Sequence, residues 1–328
     1  MTGAGWRAAV CGLLGLVVLS GCSARSSGRP SQRPPASADA ARTLGSGGSS
    51  PIPSTLRHPP GTQGSVPTSR PPATTRDTVK PVTPAAPAEP AGGIGSGGPA
   101  TLAPTHPGPL SGKVVAIDPG HNGGNFTDTS FIDSPIFNGR TSEACDTTGT
   151  ETEGGYTEAQ FNFNVATDLA TDLREQGATV VITRSTNTGV GPCVTERAAI
   201  GNRAHADVAL SIHADGGPPD GRGFAVLEPV ADGPNDAIVG PSQQFGSDLR
   251  NAFAAGTGEP VSTYDGVDGI QPRDDLGGIN LSTVPKVFIE CANMRNATDA
   301  ALVVSASWQS EAATAIAAGI RTFLVGPA

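Results

Sequence analysis

"VVAIDPGHNGG", residues 114–124, is the stretch on which the fold turns. Its apolar β-formers run from Val114 to Ile117 without the alternation of a half-exposed strand. Such a run reads as a strand covered on both faces, which is the environment of a parallel sheet packed between helices. The strand ends in Asp118, a Pro-Gly break and His121, and the Asn-Gly-Gly that follows offers nothing to pack against an imidazole. Two readings of His121 are open at this point. It is a bystander in a tight turn, or it is fixed by something outside the strand, such as a metal ion.

Working outward, the same logic yields strands over 113–118, 178–184, 207–215, 223–229 and 285–291. Helices are expected over 157–177, 194–206, 241–256 and 305–326, the second with Arg197 and Asn202 on its polar side. Gly177 marks the stop of the first. Strands and helices that alternate in this way predict one α/β domain, residues 111–328. Its sheet should be mainly parallel and twisted, with helices on both faces. In such open sheets functional groups collect beyond the carboxyl ends of the strands. Three expected strands end in a ligand or base there: His121 after "VVAIDPGH", His213 in "VALSIH" and Glu290 in "KVFIE".

Two imidazoles are too few for a catalytic zinc, which usually takes three protein ligands. On the helix that starts near Thr157, Glu158 lies seven residues before Val165 and eleven before Leu169. At 100° per residue these fall within about 20° of one direction, so Glu158 points with the apolar stripe towards the sheet. A buried carboxylate needs a partner, and a metal is one. A carboxylate in the first turn that only stabilises the helix end is the other reading. Glu290 is a candidate proton carrier if it faces the same point, and otherwise one half of an ion pair with Lys286 or Arg295. His205, near a helix end, fits a structural role, and His58 and His106 fall outside the expected fold.

The amino-terminal third has a different character. Residues 1–22 read as an export signal: Arg7, a short apolar run and "LSGC", ending at Cys22, the expected lipid attachment site. Residues 23–110 hold 18 of the 30 prolines and no Phe, Trp or Tyr. That composition predicts a disordered tether whose reach is on the order of 200 Å. The tether has 8 Lys/Arg against 3 Asp/Glu, whereas residues 111–328 have 12 against 27. An excess of 15 negative charges on the folded part argues against nucleic acid as a partner. Cys145 and Cys193 both lie in Gly/Thr-rich loops of an exported chain, so they are expected to pair. Cys291, after an apolar strand, is expected to be a free core thiol.

"VVAIDPGHNGG", "EAQFNFNVATDLATDLREQGATVVITR", "ERAAIGNRAHADVALSIHADGG", "GFAVL" and "VPKVFIECANMRN" occur in this order. Together they resemble the zinc-dependent N-acetylmuramoyl-L-alanine amidases, the amidase 3 family, in its compact disulfide-bearing form. The resemblance implies one Zn2+ on His121, Glu158 and His213, and Glu290 as the catalytic glutamate. It assigns Cys145 and Cys193 to each other. It also implies peptidoglycan or muropeptide as substrate, cleaved between the lactyl group of N-acetylmuramic acid and L-alanine. Arg273, in "QPRDDLGGINLSTVP", is a candidate contact for muropeptide carboxylates. Asp215 and Asn187 depart from the residues common in the family but remove neither a ligand nor the base. No inserted helix long enough to plug the site is evident. The expected protein is a monomer, held to the cell membrane by its N-terminal lipid and facing the cell wall. The rivals are a zinc peptidase of another wall bond and a non-catalytic peptidoglycan-binding lipoprotein.

Overall fold

The computed structural model describes residues 97–327 apart from Asp232 and Pro234. The export signal, Cys22, His58 and most of the expected tether lie outside the described residues. The apolar run before Asp118 becomes β2, Val114–Pro119, at the heart of a seven-stranded sheet. Its partners are β1 (Ala100–Leu102), β5 (Thr179–Ile182), β6 (Val208–Asp215), β7 (Ala225–Pro229), β8 (Ile270–Arg273) and β9 (Lys286–Asn293). The order across the sheet is β1-β5-β2-β6-β9-β7-β8. Pairing is parallel from β5 through β2 and β6 to β9 and again between β7 and β8. It is antiparallel at β1–β5 and β7–β9. A short hairpin, β3 (Pro135–Phe137) and β4 (Ser142–Ala144), stands apart from the sheet.

Both faces of the sheet are covered, but unequally. Helices α2 (Glu158–Glu175), α4 (Asp236–Thr257) and α7 (Ala306–Val325) pack on one face. There Val115, Ile117, Leu210, Ile212, Val287 and Ile289 meet Phe161, Leu169, Phe245 and Ile316 in the main core. Burying each such side chain contributes roughly 1.5–3 kcal/mol, which is why the apolar stripe of α2 folds down as its periodicity predicts. Among the described residues, the other face carries α3 (Val194–Arg203) and α5 (Gly277–Asn280), over two small clusters. The residues that alternate onto it are Ala116 and Asp118, Ala209, Ser211 and His213, and Lys286, Phe288 and Glu290. A cleft grows on this thin face because small and polar side chains leave it unfilled. The remaining helices are short: α1 (Thr129–Ile132) and α6 (Ala297–Val303).

Two expectations need correction. The fold begins before residue 111: β1 pairs with β5 between Pro99 and Pro104. Leu110 is fully buried in the main core and its N–H donates to the Gln176 carbonyl at 2.8 Å. Proline content concealed this, because an edge strand tolerates flanking prolines that a central strand does not. Helix α4 starts at Asp236, five residues earlier than expected, with Pro241 inside it. Cys291 is a buried free thiol, as expected.

Candidate metal centre and catalytic cleft

The parallel pairing of β6 with β9 sets His213 directly beside Glu290. A register shift follows immediately, between His213 and Asp215, and ends the regular ladder where the cleft opens. The loop after β2 brings His121 to the same point, and the first turn of α2 brings Glu158. Thr157 caps that helix, its hydroxyl accepting from the Gln160 N–H at 3.4 Å. The cavity so formed has a volume of about 440 Å³, and His121, Glu158, His213, Glu290 and Arg273 all line it.

Glu158 is the hub. Its Oε2 lies 3.2 Å from His121 Nε2, and its Oε1 lies 2.9 Å from His213 Nδ1. The two rings meet edge to face at 5.0 Å, and Phe288 stacks flat on His213 at 5.2 Å. The carboxylate is buried and also accepts from the Thr150 N–H at 3.0 Å and the Asn162 amide at 3.3 Å. Burial works against its charge, yet the His121 and His213 imidazoles hold its pKa well below the usual carboxylate range. Burial likewise opposes charge on His121, but Glu158 and then Asp146 outweigh it and lift the imidazole to about 10. Two backbone approaches keep this geometry tight. A Cβ on Gly120 would meet the His213 ring at 2.1 Å, and one on Gly149, whose φ is +74°, would meet both Glu158 and His121 at 2.7 Å.

The donor set fits a zinc ion. One nitrogen or oxygen each from His121, Glu158 and His213 lies within 4.8 Å of the others. Ligands about 2.0–2.1 Å from a tetrahedral zinc stand roughly 3.3 Å apart, close to the 3.2 and 2.9 Å that separate Glu158 from the two imidazoles. Of the two readings of Glu158, the structure therefore supports the buried group aimed at the sheet over one that only serves the helix end.

Glu290 is partly buried beside this trio, and its Oε2, which is fully buried, has no hydrogen-bond partner. Burial, reinforced by the charges of Glu158 and Asp215, pushes its pKa well above the usual value. The suggested ion pair with Lys286 is not formed, because Lys286 turns to Asp118, 3.7 Å away. Arg273 ends β8 on the cavity wall, where its guanidinium grips Asp275 through contacts of 2.7 and 2.8 Å. Asp215, also on the wall, accepts from the Tyr264 hydroxyl at 2.8 Å.

Arg197 lies on the polar side of α3, as expected, and that position is turned inward. It is buried, and Nη1 and Nη2 pair with Asp118 at 3.0 Å and Asp146 at 2.9 Å. Arg197 faces inward because carboxylates wait there, whereas Glu196 and Arg203 pair with each other on the outer side of α3. Asn202 does bridge as a polar residue should, donating to the Leu281 carbonyl and accepting from the Thr283 N–H. His205 takes a left-handed turn position just after α3, with φ 47°. Cys145 and Cys193 form a disulfide. Asp146 and Tyr264 were not legible beforehand: both sit in loops without periodicity, and only the adjacent Cys145 marked Asp146 as a fixed point.

Comparison with known proteins bears on what this cleft does. Residues 115–322 match the model of the family described as N-acetylmuramoyl-L-alanine amidase. An N-acetylmuramoyl-L-alanine amidase of Mycobacterium tuberculosis is 39% identical over 220 residues, 66% of this chain and 89% of that protein. Among solved structures, the N-acetylmuramyl-L-alanine amidase Ami1 of Mycobacterium smegmatis is 40% identical with a TM-score of 0.62, covering 66% of this chain and 98% of that one. Ami1 of Mycobacterium abscessus is 38% identical with a TM-score of 0.62, covering 66% of this chain and all of that one.

Proposed function

The chain belongs to the N-acetylmuramoyl-L-alanine amidase family, and on that premise we propose how its cleft cuts peptidoglycan. The bond is the amide between the lactyl group of N-acetylmuramic acid and L-alanine. His121, Glu158 and His213 hold one zinc ion, and Glu290 is the acid and base. The observation that carries this reading is the register of β6 and β9, which sets a carboxylate with one buried, unpartnered oxygen next to a histidine of the metal trio. Zinc bound there supplies a water of lowered pKa and polarises the scissile carbonyl.

The protein's own part follows from its groups. Glu290 accepts a proton from the attacking water, which adds its oxygen to the lactyl carbonyl carbon. Burial raises the proton affinity of Glu290, so it holds that proton until the amide nitrogen leaves and then delivers it there. The C–N bond breaks, giving a lactyl carboxylate and the free amine of alanine. Arg273 is suited to a carboxylate of the stem peptide, in exchange for part of its grip on Asp275.

The amino-terminal part completes the proposal. An export signal ends at Cys22, lipid on Cys22 holds the monomeric protein at the membrane, and the Pro-rich segment lets the domain reach the wall. Local concentration by a tether then replaces electrostatic attraction, which an acidic domain does not provide.

Mass spectrometry of muropeptide digests tests the reaction. Glycan with free lactyl ends and intact stem peptides starting in L-alanine should accumulate, stop with a chelator and resume with added zinc. New amines between amino acids of the stem, with lactyl ends still blocked, would show a peptidase and overturn the assignment.

A further inference from the structure

His121 is gripped at both its main chain and its ring by one pair of buried charges. Its backbone is left-handed, with φ 55°, a conformation that a residue with a Cβ keeps only when its surroundings impose it. Arg197 Nη2 donates to the His121 carbonyl at 2.9 Å and to Asp146 Oδ2 at 2.9 Å. Asp146 Oδ1 lies 3.1 Å from His121 Nδ1 and accepts the Thr147 N–H at 2.8 Å. Thr147 adds its carbonyl and hydroxyl to the same edge of the ring, each 3.2 Å from Nδ1. With Nδ1–H donated to that edge, Nε2 is the ring nitrogen turned to Glu158, 3.2 Å from its Oε2, and the one able to exchange its proton for a metal.

The support is itself anchored. Cys145, next to Asp146 in the chain, is disulfide-bonded to Cys193, the residue that opens the helix bearing Arg197. The Val194 N–H also donates to the Cys145 carbonyl at 2.8 Å. Asp146 is almost wholly buried, so its place is set by these bonds and not by solvent.

We infer that Asp146 is the positioning residue for His121, fixing the ring's tautomer and direction for zinc, with Arg197 and the disulfide holding Asp146 to that task. The inference rests on the zinc reading above and extends it to a residue outside the three that would hold the ion. Partners of this kind behind a metal-bound histidine typically change metal affinity by 10- to 100-fold.

The test compares wild type, Asp146→Asn and Asp146→Ala as full folded domains. Zinc affinity is measured by competition with a chromophoric chelator, at a temperature where circular dichroism shows each metal-free protein folded. Cobalt(II) absorption spectra then report the ligand field. Asp146→Ala should bind zinc about 10- to 100-fold more weakly and shift the cobalt bands. Asp146→Asn, which keeps an oxygen for Nδ1–H, should recover part of that loss. If wild type itself binds no zinc, the zinc reading fails and this inference goes with it. If wild type binds and Asp146→Ala matches it within about twofold, with unchanged cobalt bands, only this inference is overturned. Failure of both variants to fold without metal would assign Asp146 to folding and overturn it equally.

Discussion

Replacing Glu290 by Gln is expected to lower kcat by about 10²–10⁴-fold, the usual worth of a positioned acid and base, with zinc content unchanged. The amide has the shape of the carboxyl group but cannot take up a proton and return it. It sits in register with His213 without being one of the three groups placed to hold a metal ion, so the ion of the proposed site should remain. The same substitution removes a carboxylate whose buried Oε2 has no partner and which Glu158 and Asp215 repel. The variant should therefore melt no lower than wild type, and higher if anything, as expected where a site is kept for function at the expense of stability. Turnover of a muropeptide substrate and zinc content by elemental analysis check both halves. Turnover within about tenfold of wild type would remove Glu290 from the mechanism.

The second large effect concerns the ground beneath the cleft. Arg197→Met should destabilise the fold by about 3–5 kcal/mol at pH 7, the cost of leaving buried charges without their partner. Asp118 keeps Lys286 at 3.7 Å and the Thr183 and Ser211 hydroxyls, each at 2.7 Å, whereas Asp146 loses the guanidinium at 2.9 Å. The pH dependence has a definite sign. Burial would raise both carboxyl groups, but Arg197 reverses this, holding Asp146 down at about 2 and Asp118 well below its ordinary value. Groups with depressed folded values contribute stability above the unfolded aspartate pKa of about 3.9 and lose it as pH falls through the folded values. In the methionine variant those values rise, so protonation relieves the buried charge at milder acidity. The gap between wild type and variant should be widest above pH ~4 and narrow towards pH ~2. Urea unfolding of both proteins in chelator, so that metal loss plays no part, measures it. A gap under about 1 kcal/mol at neutral pH, or one that grows on acidification, would show that the cluster is not held together as described.

Much of this was legible in the sequence because it follows from periodicity. The unbroken run at Val114–Ile117, the strands ending in His213 and Glu290, and the 100° spacing that turned Glu158 inward are local patterns, and each survives in the fold. Two kinds of feature escaped. Edge elements such as β1 and β8 draw their stability from a neighbour distant in sequence, so Ala100–Leu102 gave no sign of itself within a proline-rich stretch. Loop residues escaped too: Asp146 acquires its role only when the Cys145–Cys193 link lays it between His121 and Arg197. The partners of Arg197 escaped for a related reason: its place on the polar side of a helix was legible, but not that it meets a pair of buried aspartates.

The account stands or falls on the metal. Crystals of the wild-type domain grown with zinc, measured on both sides of the zinc absorption edge, should show one strong anomalous peak between His121 Nε2, the Glu158 carboxylate and His213 Nδ1. Zinc-replete crystals with no peak among those three side chains would contradict it.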